Sequence, residues 1–276
     1  MKIAIITKYD QPQISENVVR LLSQLSQMHQ IVLLPELAAH HFQFPHDVAP
    51  YSQFKEAGVQ AAVSIGGDGT MLGVVRNVVN DDIPVIGINQ GRLGFITDIP
   101  LDDQTIYTVN SILSGERIEE KRFLLHYNDA LALNDMVIQR ANSKMLEFDV
   151  FVNQKFAYRC RADGFLISTP TGSTAYNLAT GGSIVAPEAQ IVTLTPLLSQ
   201  TLSNRPLIVC NDSTVQMKIV ANPATLLSDG LHVQDLVPGD SVTIQKYQKD
   251  AIFWHPKYTY NYLETLRTKL GWHHMS

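Results

Sequence analysis

Three stretches of this chain carry residue types and spacings suited to handling a phosphorylated nucleotide. The first, Gly66-Gly67-Asp68-Gly69-Thr70, follows the apolar run Ala61 to Ile65 and precedes a helical pattern that begins near Thr70. Glycines let a backbone come close to a phosphate and aim amide N–H groups at it, and a helix start adds a positive end. On that reading Gly66, Gly67, Gly69 and Thr70 bind phosphate. Asp68 would repel the same phosphate unless it has a chemical task, and orienting and deprotonating an attacking hydroxyl is such a task. The alternative is a tight strand-to-helix turn with Asp68 as N-cap. No Gly-Lys-Ser/Thr follows and no Gly-x-Gly-x-x-Gly spacing is present, which disfavours a Walker loop and a Rossmann fingerprint.

The second stretch, Gly87-Ile88-Asn89-Gln90-Gly91-Arg92-Leu93-Gly94-Phe95, ends a strand and either presents Phe95 to a flat ring or plugs a core with it. The third runs from Asp163 to Ala179. A buried strand, Gly164 to Ser168, delivers Thr169-Pro170-Thr171-Gly172-Ser173-Thr174-Ala175-Tyr176-Asn177-Leu178-Ala179. Small hydroxyls and exposed amides there suit hydrogen bonding to adenine, ribose and phosphate; Ser173 or Thr174 as a helix N-cap is the plainer reading. Asn134 and Asp135 sit together at a strand end, where an Asn can read adenine through its paired donor and acceptor or simply make a turn. Arg161 and Asp163, taken by themselves, read as a surface ion pair.

The elements that must position these residues alternate in the first part. Lys2 to Thr7 is a β-branched run, Ser15 can cap a helix with Val18, Val19, Leu22 and Leu25 on one face, and Gln30 to Leu34, Ala61 to Ile65 and Ile83 to Ile88 are further strands. Alternating strands and helices imply a parallel α/β sheet with ligands at the carboxyl ends of its strands. Beyond about Pro100 short runs succeed one another with little helical pattern: Leu124 to His126, Ala130 to Leu133, Phe148 to Asn153, Leu207 to Val209, Thr214 to Val220 and, after the turn Pro238-Gly239-Asp240, Ser241 to Gln245. Helical spacing returns from Tyr258 to Leu270. The expected division is an α/β phosphate-binding domain over 1–100, with 252–276 packing back on it, and a β-rich domain over 101–251.

Composition narrows the partners. A formal charge of −5 and 17% charged residues provide no field for a polyanion, which argues against nucleic acid or an anionic membrane, and the low charge content favours an oligomer. Cys160 and Cys210 lack metal-ligand or disulfide-framework spacing and read as small core residues in a reducing compartment. The N-terminal apolar run reaches Lys8 before it is long enough for a signal peptide, and no later run approaches a membrane span, so a cytoplasmic location is expected.

Gly66-Gly67-Asp68-Gly69-Thr70 resembles the motif shared by NAD kinases, the diacylglycerol and sphingosine kinase group and 6-phosphofructokinases. The segment from Asp163 to Ala179, with Gly181-Gly182-Ser183-Ile184-Val185 after it, resembles the NAD kinase signature. So do the Phe95 loop, Asn134-Asp135 (more often Asn-Glu), Asn204-Arg205-Pro206-Leu207 and the closing Leu266-Arg267-Thr268-Lys269-Leu270-Gly271-Trp272. Ser228-Asp229-Gly230-Leu231 resembles a turn that more often reads Asp-Gly-Gln, which leaves His232 as the candidate substitute for the missing amide.

The resemblance implies a Rossmann-like α/β domain and a β-sandwich-like domain, with the last helix returning to the first and NAD in the cleft between them. It implies transfer of the γ-phosphate of ATP to the adenosine-ribose 2′-hydroxyl of NAD, with Asp68 as proton acceptor and Mg²⁺ arriving with ATP. NAD would be held by Asp68, Gly69, Phe95, Asn134, Asp135, Arg161, Asp163, Thr171, Thr174, Ala175, Tyr176, Asn177, Leu178 and Ala179. Family members form dimers or tetramers. A lipid or sugar-phosphate kinase, or a non-catalytic NAD sensor, stays open as an alternative; the sensor would not need Asp68.

Overall fold

The computed structural model describes residues 1–7, 14–91, 94–201 and 205–272. Lys8, Arg92, Leu93 and Asn204, which figure in the sequence argument, lie outside the described residues. The chain divides into two compact units, Met1–Lys121 with Ala251–Ser276, and Arg122–Asp250.

In the first unit the strands are β1 (Lys2–Thr7), β2 (Gln30–Leu33), β3 (Asp47–Val48), β4 (Ala61–Gly66), β5 (Val85–Asn89) and β6 (Ile99–Pro100), and the helices are α1 (Glu16–Ser26), α2 (Pro35–Ala38), α3 (Asp68–Val78) and α4 (Thr105–Ser114). Every strand pair in the order β3-β2-β1-β4-β5-β6 is parallel. A parallel sheet covered on both faces needs apolar side chains on both, and β4 and β5 are buried at every residue. Ile3, Ile5, Val63, Ile65, Ile86 and Ile88 pack in one core with α1 and α4.

Two details of the helices differ from the sequence reading. The buried stripe of α1 is Val18, Leu21, Leu22 and Leu25, at i, i+3, i+4 and i+7, while Val19 is 40% exposed; Ser15 stands at the N-cap without a side-chain cap bond. Helix α4 lies in the stretch beyond Pro100 where short strands were expected. Its Thr105, Val109, Ile112 and Leu113 are buried, the Asp102 N–H donates to Thr105 Oγ1 at its start, and Gly115 at φ 114° ends it.

The second unit is all antiparallel apart from a 3₁₀ turn (Thr171–Thr174) and the short helix α5 (Tyr176–Ala179) that follows it. Its strands are β7 (Arg117–Tyr127, entering from the first unit), β8 (Ala130–Ala132), β9 (Asp135–Arg140), β10 (Leu146–Val152), β11 (Lys155–Ala162), β12 (Gly164–Ser168), β13 (Ile191–Leu197), β14 (Leu207–Cys210), β15 (Val215–Ala221), β16 (Ala224–Ser228), β17 (Leu231–Leu236) and β18 (Ser241–Pro256). A six-stranded sheet runs β14-β13-β12-β9-β16-β17, and a second ladder runs β11-β10-β15-β18. Alternate residues of both point into one core, among them Met136, Ile138, Phe148, Val150, Phe165, Ile167, Met217 and Ile244, with Phe148 and Phe165 meeting edge to face. Strands β11, β13, β16 and β17 have no counterpart in the sequence reading. After the second unit β18 leads back to the first, which α6 (Tyr262–Leu270) completes with Asn261 accepting the Glu264 N–H as N-cap. This is the α/β plus β-sandwich-like arrangement that the sequence implies. No helix of the described residues is long and apolar enough to cross a membrane.

Candidate active site

The residues picked out by the sequence fall into two groups, one in each unit. In the first unit, β4 ends at the buried Gly66 and α3 begins two residues later, with Gly67 as N-cap and Asp68 as the first helical residue. The helix therefore starts earlier than the expected Thr70, and Asp68 is not its cap. A Cβ on Gly66 would run into the Thr70 side chain, so this pair sets the turn; a Cβ on Gly67 or Gly69 would meet nothing within 4 Å, and both are exposed. Room for a ligand is at those two glycines.

The Asp68 carboxylate is turned toward the loop after β5. Oδ2 accepts the Phe95 N–H at 2.8 Å; Oδ1 accepts the Ile96 and Thr97 N–H groups, each at 3.2 Å, and the Thr97 hydroxyl at 2.8 Å. A side chain on Gly94 would land on this carboxylate and on Thr97 Oγ1, so only glycine fits there. Phe95 is half-buried, with Lys269 Nζ of α6 5.5 Å from its ring centroid.

In the second unit, β12 delivers the turn that was read as hydroxyl-rich. The Thr169 hydroxyl donates to the Leu133 carbonyl and accepts the Gly172 N–H, while Thr169 N–H donates to the Asn134 carbonyl at 2.9 Å. Gly172 has no space for a Cβ against the Asn134 backbone. From the other side Asp229 accepts the N–H groups of Leu133, Asn134 and Asp135 at 3.0, 2.8 and 3.2 Å. Asp229 and Gly230, at φ 45° and 79°, form the two-residue turn between β16 and β17. The Asn134 backbone is thus clamped on two sides, and its half-buried side-chain amide makes no hydrogen bond within the described residues.

Asp135 is only 5% exposed, and burial first, then the negative charge of Asp229, pushes its carboxyl up to about 7. At neutral pH it is therefore partly protonated and can donate as well as accept.

The remaining residues separate by exposure. Thr171 is buried, with its carbonyl accepting the Thr174 hydroxyl; Thr174, Ala175 and Leu178 are half-buried, and Tyr176 and Ala179 are exposed. Asn177 is fully buried, its Oδ1 accepting the Thr195 hydroxyl and its Nδ2 donating to the Ser183 carbonyl, so it organises the turn from beneath. Ser173 likewise faces inward, against Val185. Asp163, Tyr176 and Ala179 share a cavity of about 510 Å³ with Arg140, Leu197 and Leu198. Arg161 and Asp163 do not form the ion pair that was one reading of them. Asp163 pairs with Arg140 at 3.2 Å, and the exposed Arg161 has Glu147 at 3.9 Å. Leu231 is exposed, and His232 beside it is bonded to Asp235 at 3.0 Å.

Thr97, Arg140 and Lys269 were not singled out as contacts from the sequence. The signal for Thr97 was its adjacency to the Phe95 loop; Arg140 and Lys269 gave none.

Comparison with known proteins decides the family. The domain described as "ATP-NAD kinase N-terminal domain" matches residues 3–117 and the "ATP-NAD kinase C-terminal domain" matches residues 133–255. The chain belongs to the NAD kinase family. NAD kinases of Laribacter hongkongensis and Nitrosomonas europaea are each 38% identical to it, over 98% of this chain and 96% and 94% of theirs. Among solved structures, yeast NADH kinase complexed with NADH has a TM-score of 0.87 at 26% identity, covering 100% of this chain and 88% of that one. An NAD kinase from Archaeoglobus fulgidus in complex with ATP has a TM-score of 0.79 at 22% identity, covering 98% and 99%, and attests the fold. As an NAD kinase the chain is an enzyme whose substrates are ATP and NAD. Matches over both halves choose this family over the lipid and sugar-phosphate kinases that share the Asp68 pentapeptide.

Proposed function

We propose that Asp68 is the proton acceptor of this NAD kinase, holding the adenosine-ribose 2′-hydroxyl of NAD as its oxygen attacks the γ-phosphate of ATP in line. The observation that carries this is the state of the carboxylate. Among the described residues Oδ1 has three donors, whereas Oδ2 of the half-exposed side chain has one, leaving a lone pair for an incoming hydroxyl. The exposed amides of Gly67 and Gly69 at the start of α3 receive phosphate, and Gly66 and Thr70 hold the turn that presents them. Mg²⁺ would arrive with the ATP substrate and offset the charge of its phosphates.

Recognition of NAD falls to the second unit. The free amide of Asn134 suits adenine; Asp135, Thr171, Thr174, Ala175 and Leu178 line the same turn; Tyr176 and Ala179 offer exposed surface to a ring; and Asp163 with Arg140 offers an acceptor and donors to an amide or a ribose. Asn177 supports the turn, and Arg161 stands at the margin. Phe95 adds an aromatic face beside Asp68. We place the enzyme in the cytoplasm as a homodimer or homotetramer, in keeping with its low charge content.

The test is Asp68→Asn assayed for NADP formation from ATP, Mg²⁺ and NAD with an NADP-specific dehydrogenase. The expected result is a turnover lower by about 10²-fold or more with NAD still bound. Wild-type turnover in folded variant protein would remove Asp68 from this role.

A further inference from the structure

We propose that Thr97, oriented by Asn89, is a positioning residue for phosphoryl transfer: it occupies Oδ1 of Asp68 so that Oδ2 is the oxygen that takes the proton. This rests on the reading of Asp68 as proton acceptor.

Three hydrogen bonds in series fix the arrangement. The Gly91 N–H donates to Asn89 Oδ1 at 2.7 Å, Asn89 Nδ2 donates to Thr97 Oγ1 at 2.8 Å, and Thr97 Oγ1 donates to Asp68 Oδ1 at 2.8 Å. Their direction follows from the groups themselves. A backbone N–H can only donate, so the Asn89 oxygen faces Gly91 and its NH₂ faces Thr97. A hydroxyl that already accepts from Asn89 has one proton, and the neighbouring carboxylate can only accept it. Thr97 is 0% exposed and Asn89 4%, so water does not compete for either bond.

The consequence falls on Asp68. With the Ile96 and Thr97 amides also on Oδ1, rotating the carboxylate would break three bonds at once, and Gly94 leaves no slack beside it. The general base is held in one orientation, with its less loaded oxygen free to meet a hydroxyl. Holding a base in a productive geometry lowers the barrier to the chemical step without adding substrate affinity. Thr97 therefore acts on kcat and not on binding.

The test is Thr97→Val, which keeps the branched shape and removes the hydroxyl, compared with Thr97→Ser, which restores the hydroxyl. Thr97→Val is expected to lower kcat by about tenfold or more, the scale of one hydrogen bond to a charged group, with KM for NAD and ATP within about twofold, and Thr97→Ser is expected to recover most of the loss. In an Asp68→Asn background Thr97→Val should add nothing. Unchanged kcat in Thr97→Val, or an equal further loss on top of Asp68→Asn, overturns the inference while leaving Asp68 as the base; wild-type turnover in Asp68→Asn alone overturns both. If Thr97→Val does not melt cooperatively, Asn89→Asp serves instead. It keeps an acceptor for Gly91 and offers the Thr97 hydroxyl a competing carboxylate, so kcat should fall in the same way, and an unchanged kcat refutes the proposal.

Discussion

Replacing Asp135 by asparagine should stabilise this protein, and more so at pH 8 than at pH 5. Asp135 opens β9 almost without solvent contact, and its carboxyl is pushed up to about 7 by burial and by Asp229, against 3.8 for an ordinary aspartate. Between these two values the folded protein holds a proton that the unfolded chain has released. Stability therefore falls as pH rises from about 4 to about 7 and is flat above that. At about 1.4 kcal/mol per pH unit, the raised carboxyl costs about 4 kcal/mol at pH 8, where it is a buried charge, and about 2 kcal/mol at pH 5, where the fold holds a proton that the unfolded chain has released.

Asparagine has nearly the same shape and no charge to bury, so the advantage of Asp135→Asn should grow by about 2 to 3 kcal/mol from pH 5 to pH 8. The substitution also removes the repulsion that Asp229 exerts on this buried carboxyl. The assay is urea unfolding of both proteins at both pH values, taking the difference of differences so that every other titrating group cancels. An advantage of equal size at the two pH values would refute the reasoning, because a carboxyl that ionises normally in the fold has no pH-dependent cost to remove.

Three further substitutions probe the two groups separately. Gly94→Ala should abolish turnover while leaving a cooperative melt, because its methyl group would displace the Asp68 carboxylate and the Thr97 hydroxyl; an active enzyme with alanine at this position would show that the carboxylate need not sit where it does. Asn134→Ala and Tyr176→Ala should each weaken NAD binding in calorimetry by about tenfold, the scale of one lost hydrogen bond or ring contact, with the Asp229 and Thr169 clamps intact. Wild-type affinity in both would remove these residues from NAD recognition.

What the sequence disclosed and what it hid follow from the range of the interactions involved. Strand β12 was legible at its bounds, Gly164 and Ser168, because a five-residue apolar run between a glycine and a hydroxyl-rich turn is a local pattern. Helix α4 was not: its buried positions 105, 109, 112 and 113 have helical spacing, but Thr105 heads the stripe, and polar residues between apolar ones also fit short strands. Strand β11 reads KFAYRCRA, with two arginines and a lysine, and only pairing with β10 makes it a strand. At the site, the types and order of the motif residues pointed to the chemistry. The bond from Thr97 to Asp68 joins residues 29 apart, and it exists only because α3 and the loop after β5 start from neighbouring parallel strands. Asn177 shows the converse: it stands inside the signature segment, yet its amide is turned into the protein.

That dependence on strand order explains why both groups sit where they do. In the first unit the parallel register aligns Gly66 of β4 with Asn89 of β5, so both chains leave the sheet at the same carboxyl edge, and Gln90 N–H reaches back to the Gly66 carbonyl at 3.1 Å. A base on the first loop is then within hydrogen-bond reach of amides on the second. In the second unit the pairing is antiparallel, so one edge of the sheet collects the end of β12, the start of β9 and the end of β16. Ser168 stands opposite Asp135, and Ser228 opposite Met136. The hydroxyl turn after β12 and the Asp229 turn after β16 therefore close on the backbone of residues 133–135 from opposite sides. Asn134 is held between its two neighbours because β9 lies between theirs, and moving β9 by one residue would break all three Asp229 bonds together.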